Sequence, residues 1–165
     1  MAMALNPDKQ ALAQAEIDRV VGTERLPVIA DRKNLPYLSA VIKETMRWYP
    51  VLPLSIARLT AEDDTYKGYF IPKGTIITPN VWSIAFEANE KYDPKAFIPE
   101  RFLDPNDTTP DPATWAFGFG RRICPGKALA ENSLMALISG ILAAFDILPP
   151  AEGVVEQNFE LGLVR

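Results

Sequence analysis

Trp115-Ala116-Phe117-Gly118-Phe119-Gly120-Arg121-Arg122-Ile123-Cys124-Pro125-Gly126-Lys127-Ala128 joins a glycine-rich loop to a long apolar segment, and it carries the one cysteine of the chain. Proline is tolerated at the first position of a helix, because its missing N–H would be unpaired there in any case. The stretch therefore predicts a helix opening at Pro125, with Cys124 at its N-terminus. Unpaired N–H groups and the helix dipole favour negative charge at that end. A cysteine so placed ionises to thiolate more readily than in free solution. Arg121 and Arg122 add positive potential. The rest of the chain decides what such a sulfur can bind.

At 165 residues the chain is long enough for one domain with a hydrophobic core. Its 48% hydrophobic and 23% charged residues are those of a globular protein. A net charge of −4 speaks against nucleic acid as a partner. One cysteine excludes an internal disulfide and any multi-cysteine zinc or iron–sulfur site. Histidine is absent altogether. That removes Ser-His-Asp and Cys-His nucleophilic catalysis, histidine zinc sites and haem held by a proximal histidine of this chain. Thiolate and carboxylate remain. Met1–Leu5 has neither the basic start nor the apolar run of a signal peptide. The apolar run from Leu134 to Phe145 is too short to span a bilayer, so no membrane anchor is expected in the chain.

Upstream, Asn6-Pro7-Asp8 reads as an N-cap, a proline at the first helical position and an acid in the first turn. Ala13, Ile17, Val20 and Val21 then form a narrow apolar stripe, and Gly22 stops the helix. A second helix opens at Leu35-Pro36-Tyr37 and ends before Pro50. Leu38, Val41, Ile42, Met46 and Tyr49 share one of its faces, with Trp48 at the margin. On the opposite, nominally polar side, Glu44 and Arg47 are spaced to touch. Spacing alone makes them a solvated pair worth under about 1 kcal/mol.

From Leu52 to Asn80 the pattern turns to strands at Ser55–Thr60, Asp64–Tyr66, Tyr69–Ile71 and Thr75–Thr78. Gly68 marks a break, and Ile71-Pro72-Lys73-Gly74 has the residue placement of a type I turn. Together these predict one small antiparallel sheet. Arg58 is a lone charge in its first strand, by itself an edge-strand charge. Val81–Ala88 reads as a short helix. Tyr92–Pro112 is irregular and proline-rich, and a loop of this length is usually functional or packed over something. It contains Pro99-Glu100-Arg101-Phe102, whose charges are by themselves a surface pair. Gly126–Phe145 is expected to be a long helix, buried on most sides in its second half. Asn158–Val164 is expected to be a strand. The fold class is thus mainly α with a small antiparallel β-sheet, an α+β arrangement.

Three motifs, in this order, resemble those of one family. Phe117-x-x-Gly120-x-Arg122-x-Cys124-x-Gly126 is similar to the haem-binding signature of the haem-thiolate monooxygenases, the cytochrome P-450 superfamily. Glu44-Thr45-Met46-Arg47 resembles its Glu-x-x-Arg helix motif, and Pro99-Glu100-Arg101-Phe102 its Pro-Glu-Arg-Phe motif. The resemblance runs from Asn6 nearly to the last residue and is to the C-terminal part of a fungal microsomal enzyme. It implies the C-terminal portion of the cytochrome P-450 fold, with residues 1–165 as a single partial domain. It also implies haem b, with Cys124 as axial ligand of the iron; such a thiolate donates electron density that favours O–O cleavage. Phe117, Gly120 and Gly126 would then line the cofactor, the glycines letting backbone pass close to the porphyrin. Arg58 and Arg122 would bind the propionates, which guanidinium suits well. Glu44, Arg47 and Arg101 would form a buried ion triad that fixes geometry more than it adds stability. This last implication reverses the surface reading of Glu44 and Arg47.

The complete enzyme implied in this way inserts one oxygen atom from O2 into a small organic substrate. Its electrons come from an NADPH-dependent reductase, and it sits at the cytosolic face of the endoplasmic reticulum membrane. Relatives are much longer, and this chain is expected to begin just after the oxygen-activating helix. No acid–threonine pair in a long central helix is found, so no catalytic residue beyond the haem ligand is expected. Ala57 stands where relatives often carry histidine, and Phe86-Glu87 where they carry histidine-aspartate. The end at Leu163-Val164-Arg165 stops short of the usual closing strand. Two other functions compete with the enzyme fragment. One is a haem-binding fragment without catalysis; the other is a non-functional truncated product whose apolar faces would aggregate. The basic patch of Arg121, Arg122 and Lys127 is expected to meet the electron donor.

Overall fold

The computed structural model describes residues 1–153 and 155. Its helices are α1 (Ala2–Leu5), α2 (Pro7–Val21), α3 (Pro36–Trp48), α4 (Val81–Ala85) and α5 (Lys127–Ala144). Its strands are β1 (Arg58–Leu59), β2 (Asp64–Tyr66), β3 (Tyr69–Ile71) and β4 (Ile76–Ile77). The expected α+β class, rich in helix, is observed. The strand anticipated at Asn158–Val164 lies outside the described residues.

The core forms where α2, α3 and α5 meet. Ala13 and Ile17 from α2, Leu38 and Val41 from α3, and Met135 and Leu142 from α5 are all buried there. Trp48, expected at the margin of α3, is buried and meets Phe97 edge-on with ring centroids 5.7 Å apart. Tyr49, expected on the buried face, is exposed. The helix ends at Trp48, so Tyr49 no longer follows the helical repeat. Fully burying a side chain of this size removes about 1.5–3 kcal/mol of exposure cost, and the α3 core residues supply several such contributions.

Polar side chains fasten these helices where their backbone groups run out of partners. Pro36 opens α3, and the next two N–H groups, of Tyr37 and Leu38, donate to the Glu16 carboxylate of α2 at 3.0 and 2.9 Å. A carboxylate at that end also meets the positive pole of the helix dipole. Gln10 of α2 exchanges two hydrogen bonds with the backbone of Ile147, which ties the exit of α5 back to α2. Asn6 holds the N-cap position of α2 as expected, but its side chain makes no capping hydrogen bond. The short helix α1 precedes it, and the Asn6 amide turns back to donate to the Ala2 carbonyl at 2.8 Å. Gly22 ends α2 as expected, with φ +79°.

Three sequence expectations need correction. The strands form two separate two-stranded ladders, β1 with β4 and β2 with β3, rather than one sheet. The strands β2 and β3 keep the expected bounds, whereas β1 and β4 are shorter at both ends than alternation suggested, because most of their side chains are exposed and no second layer rewards further pairing. The proline turn closes one residue late: the Thr75 N–H donates to the Pro72 carbonyl, and Gly74 at φ +81° holds the third position, where type II turns need glycine.

The long helix α5 begins at Lys127, not at Pro125, and Gly126 is its N-cap. It is also far less buried than its composition suggested. Only Met135, Ser139 and Leu142 are buried, while Leu129 and Leu137 are 73% and 62% exposed. By length and composition α5 could cross a membrane, since it recruits Lys127–Ser133 to the apolar run. In the fold its buried side packs on α2 and α3.

Candidate functional site: the cysteine loop and its buried ionic support

The site is built from α3 outward. Glu44 and Arg47 lie on the same side of that helix, and both are fully buried by the segment running from Asp93 to Arg101. Arg47 uses all five of its N–H donors. Two go to the Glu44 carboxylate, Nε to Oε2 at 2.7 Å and Nη2 to Oε1 at 2.8 Å. The other three go to the carbonyls of Ala85, Pro94 and Ala96 at 2.8, 2.8 and 3.1 Å. Glu44 also accepts the Ile98 N–H at 2.7 Å and the Arg101 Nε–H at 3.3 Å. Arg101 is buried as well and donates from Nη2 to the Asp93 carbonyl at 2.9 Å. The triad implied by the motifs is therefore assembled, and the surface-pair reading of Glu44, Arg47 and Arg101 is overturned.

One carboxylate faces two guanidinium groups, so the cluster carries net positive charge in a dry place. Burial lowers the Arg101 pKa from its ordinary value, and Glu44 opposes that shift. The Tyr92 ring, whose centroid lies 5.5 Å from the Arg101 guanidinium carbon, offers a further favourable contact. What the cluster achieves is geometric: a segment with little regular structure is pinned to α3 through its own carbonyls.

The pinning reaches the cysteine loop through two routes. Arg47 holds the Ala85 carbonyl at the end of α4, and Val81 and Ala85 of α4 pack on the buried Trp115. Separately, Lys43 of α3 pairs with Asp111 at 2.6 Å, and Asp111 accepts the Ala113 N–H to open the short turn Pro112–Thr114. Trp115 is thus fixed from both sides, and the loop leaves from it.

Within the loop, Gly118 and Gly120 have φ of +88° and +62°, which side chains rarely adopt. Gly120 was expected from the motif; Gly118 was not. A Cβ at Gly118 would also approach Arg58 Nη2 to 3.4 Å. Gly126 has an ordinary φ of −82°, and a Cβ there would lie 3.7 Å from the Cys124 sulfur. The Cys124 N–H donates to the Phe117 carbonyl at 2.8 Å, and the Lys127 N–H donates to the Cys124 carbonyl at 3.2 Å. Cys124 therefore sits in a turn just before α5 rather than against its first residue, and its side chain is exposed. Phe117 is half-buried, and Arg121 and Arg122 are exposed.

Arg58 lies in β1 and crosses to the same loop, donating to the carbonyls of Phe119 and Arg122 at 3.3 and 2.8 Å. It is not a solvated edge charge. Lys127, placed by the sequence reading in an open basic patch, instead donates to the Ala113 carbonyl at 2.7 Å and faces Glu131 at 3.9 Å. The patch reduces to Arg121 and Arg122. Arg58, Phe117, Gly120, Arg122, Cys124 and Gly126 are brought together, whereas the triad supports them from a distance. Sequence reasoning missed Lys43, Asp111 and Gly118. The first two are unremarkable charges until the fold places them 2.6 Å apart.

The donor set fits a metal that brings most of its ligands with it. Among the described residues no group of three histidine, cysteine, aspartate or glutamate side chains converges on a metal position. A single exposed thiol beside glycines and two arginines fits an iron macrocycle with acidic side arms.

These features define a helical scaffold that presents one exposed cysteine on a braced loop. The family comparison is in accord: the cytochrome P450 model matches residues 1–165, and the chain belongs to that family. It is 53% identical over 154 residues to the cytochrome P450 monooxygenase COX2 of Coprinopsis cinerea, covering 92% of this chain and 29% of that protein. It is 46% identical over 163 residues to the cytochrome P450 monooxygenase claR of Ampulloclitocybe clavipes, covering 98% and 30% respectively. A zebrafish cytochrome P450 solved with progesterone superposes with a TM-score of 0.82 at 37% identity, over 91% of this chain and 34% of that one. The chain spans about three tenths of the length of these curated relatives.

Proposed function

We propose that this chain is the haem-ligating part of a monooxygenase, with Cys124 as the axial ligand of haem b and residues 1–165 as a single partial domain. The observation that carries this reading is the single exposed cysteine on a loop closed by its own N–H and braced from two sides. Bound haem would supply the activation of O2 and the insertion of one oxygen atom into a small organic substrate.

The residues of this chain would do the holding. Cys124 supplies the sulfur donor, and the turn through Pro125 and Gly126 keeps space open beside it. Phe117 and the partly exposed Ile123 give the loop apolar side chains that would help keep water from the sulfur once the group is bound. Arg122 and Arg58 are the cations available to the carboxylates of the group. Arg121 and Arg122 form the basic surface nearest the ligand, suited to an electron-donating reductase that draws on NADPH. The exposed apolar side chains of α5 and of the β2–β3 hairpin would seat the remaining parts of a complete enzyme at the endoplasmic reticulum membrane.

An optical spectrum tests the assignment. A reduced, CO-bound sample with added haem should show the signature of thiolate ligation, and Cys124→Ala should abolish it. Haem uptake with the same spectrum in both proteins would refute Cys124 as the ligand.

A further inference from the structure

We infer that Arg58 is a positioning residue for the cysteine loop, acting through backbone carbonyls rather than only through a bound group. Its backbone is fixed by the β1–β4 ladder, in which Arg58 stands opposite Ile77. From that anchor its guanidinium reaches across to Nη1–Phe119 carbonyl and Nη2–Arg122 carbonyl contacts of 3.3 and 2.8 Å. Those two carbonyls stand at the start and the end of the Gly120–Arg122 turn, that of Phe119 just before it and that of Arg122 on its last residue. The planar fork therefore sets the spacing of the turn's two ends, which a lysine ammonium cannot do.

Gly118 belongs to the same device. Its φ of +88° turns the chain so that Nη2 can pass close to it, and a Cβ there would stand 3.4 Å from that nitrogen. Two residues beyond the turn, the Cys124 N–H closes the loop onto the Phe117 carbonyl. Arg58 holds the two carbonyls between those closing points. Two of its five donors are used in this way, which leaves others for an acidic side arm. The brace thus extends the haem reading above and rests on it for its functional meaning, but not for its geometry.

Amide hydrogen exchange on the chain tests the brace without haem. Arg58→Ala should speed exchange of the Ile123 and Cys124 amides roughly tenfold while leaving the α3 amides unchanged. Arg58→Lys keeps the charge and should show the same loop-specific acceleration. Loop amides that exchange no faster than in the wild type overturn the inference. So does an α3 that loosens together with the loop in both variants. With haem added, Arg58→Ala should lower the thiolate-ligated fraction for haem dimethyl ester as well as for haem. An effect that vanishes with the ester would assign Arg58 to the propionates alone and overturn the brace. Failure of the wild-type chain to take up haem would count against the function proposed above, and the exchange comparison would still decide the brace.

Discussion

Replacing Glu44 by glutamine removes the only carboxylate of the buried cluster while keeping its shape. Four donors from three residues converge on that group: two from Arg47, one from Arg101 and the Ile98 N–H. The glutamine amide would turn a donor toward the Arg47 donors, and two buried guanidinium groups would lose their counter-charge. Removing one partner of a buried ion pair costs about 3–5 kcal/mol. Total stability of a domain is about 5–15 kcal/mol, so Glu44→Gln should remove roughly a fifth or more of what holds the chain folded. Urea unfolding followed by tryptophan fluorescence is a suitable assay, since the Trp48 indole donates to the Lys95 carbonyl on the pinned segment. Lys43→Ala is the control. Its pair with Asp111 is about one-third exposed on each side, and it should cost under about 1 kcal/mol. Equal losses in the two variants would refute the claim that the triad pins the segment. Replacing all three charges with apolar residues should not restore stability either. The carbonyls of Ala85, Pro94 and Ala96 would lose their Arg47 donors, at about 1–3 kcal/mol for each one left buried and unpaired.

Two further outcomes follow from charges outside the triad. Glu16→Gln weakens the carboxylate that receives the first N–H groups of α3, and should lower stability by about 1 kcal/mol in the same urea experiment. Glu100 accepts from Lys9 and from the Tyr37 hydroxyl, both at 2.9 Å. Burial raises its pKa, but these hydrogen bonds and the Lys9 charge outweigh burial and leave it below the ordinary value of 4.5. A carboxylate with a depressed folded-state pKa contributes stability above its unfolded pKa and loses it as pH falls through the folded one. Thermal melts should therefore show Glu100→Gln less stable than wild type near neutral pH. The gap should close as the pH drops below 4.5; a gap that is constant or widens in acid would contradict the assignment.

The helices were legible in the sequence because their signals are local. Pro7 and Pro36 set helix starts, Gly22 set a stop, and apolar spacing marked the side of α3 that became the core. The cysteine loop was legible for the same reason, since its glycines and arginines lie within a few residues of Cys124. Spacing misjudged the residues at element ends. Tyr49 and Pro125 fall outside their helices because backbone hydrogen bonds, not side-chain periodicity, decide where a helix closes.

Resemblance to a family's motifs, and not the spacing of charges, is what anticipated the burial of Glu44 and Arg47. By itself the sequence determined which residues could ligate, turn or cap, because those properties belong to side chains and to φ. Tertiary structure alone decided which charges lose their water. Glu44, Arg47 and Arg101 are dry because an irregular segment far along the chain is folded over them. Arg58 braces the cysteine loop because a strand pairing brings it there. Both outcomes depend on contacts between residues about fifty or more positions apart, and desolvation cannot be read from neighbours in sequence.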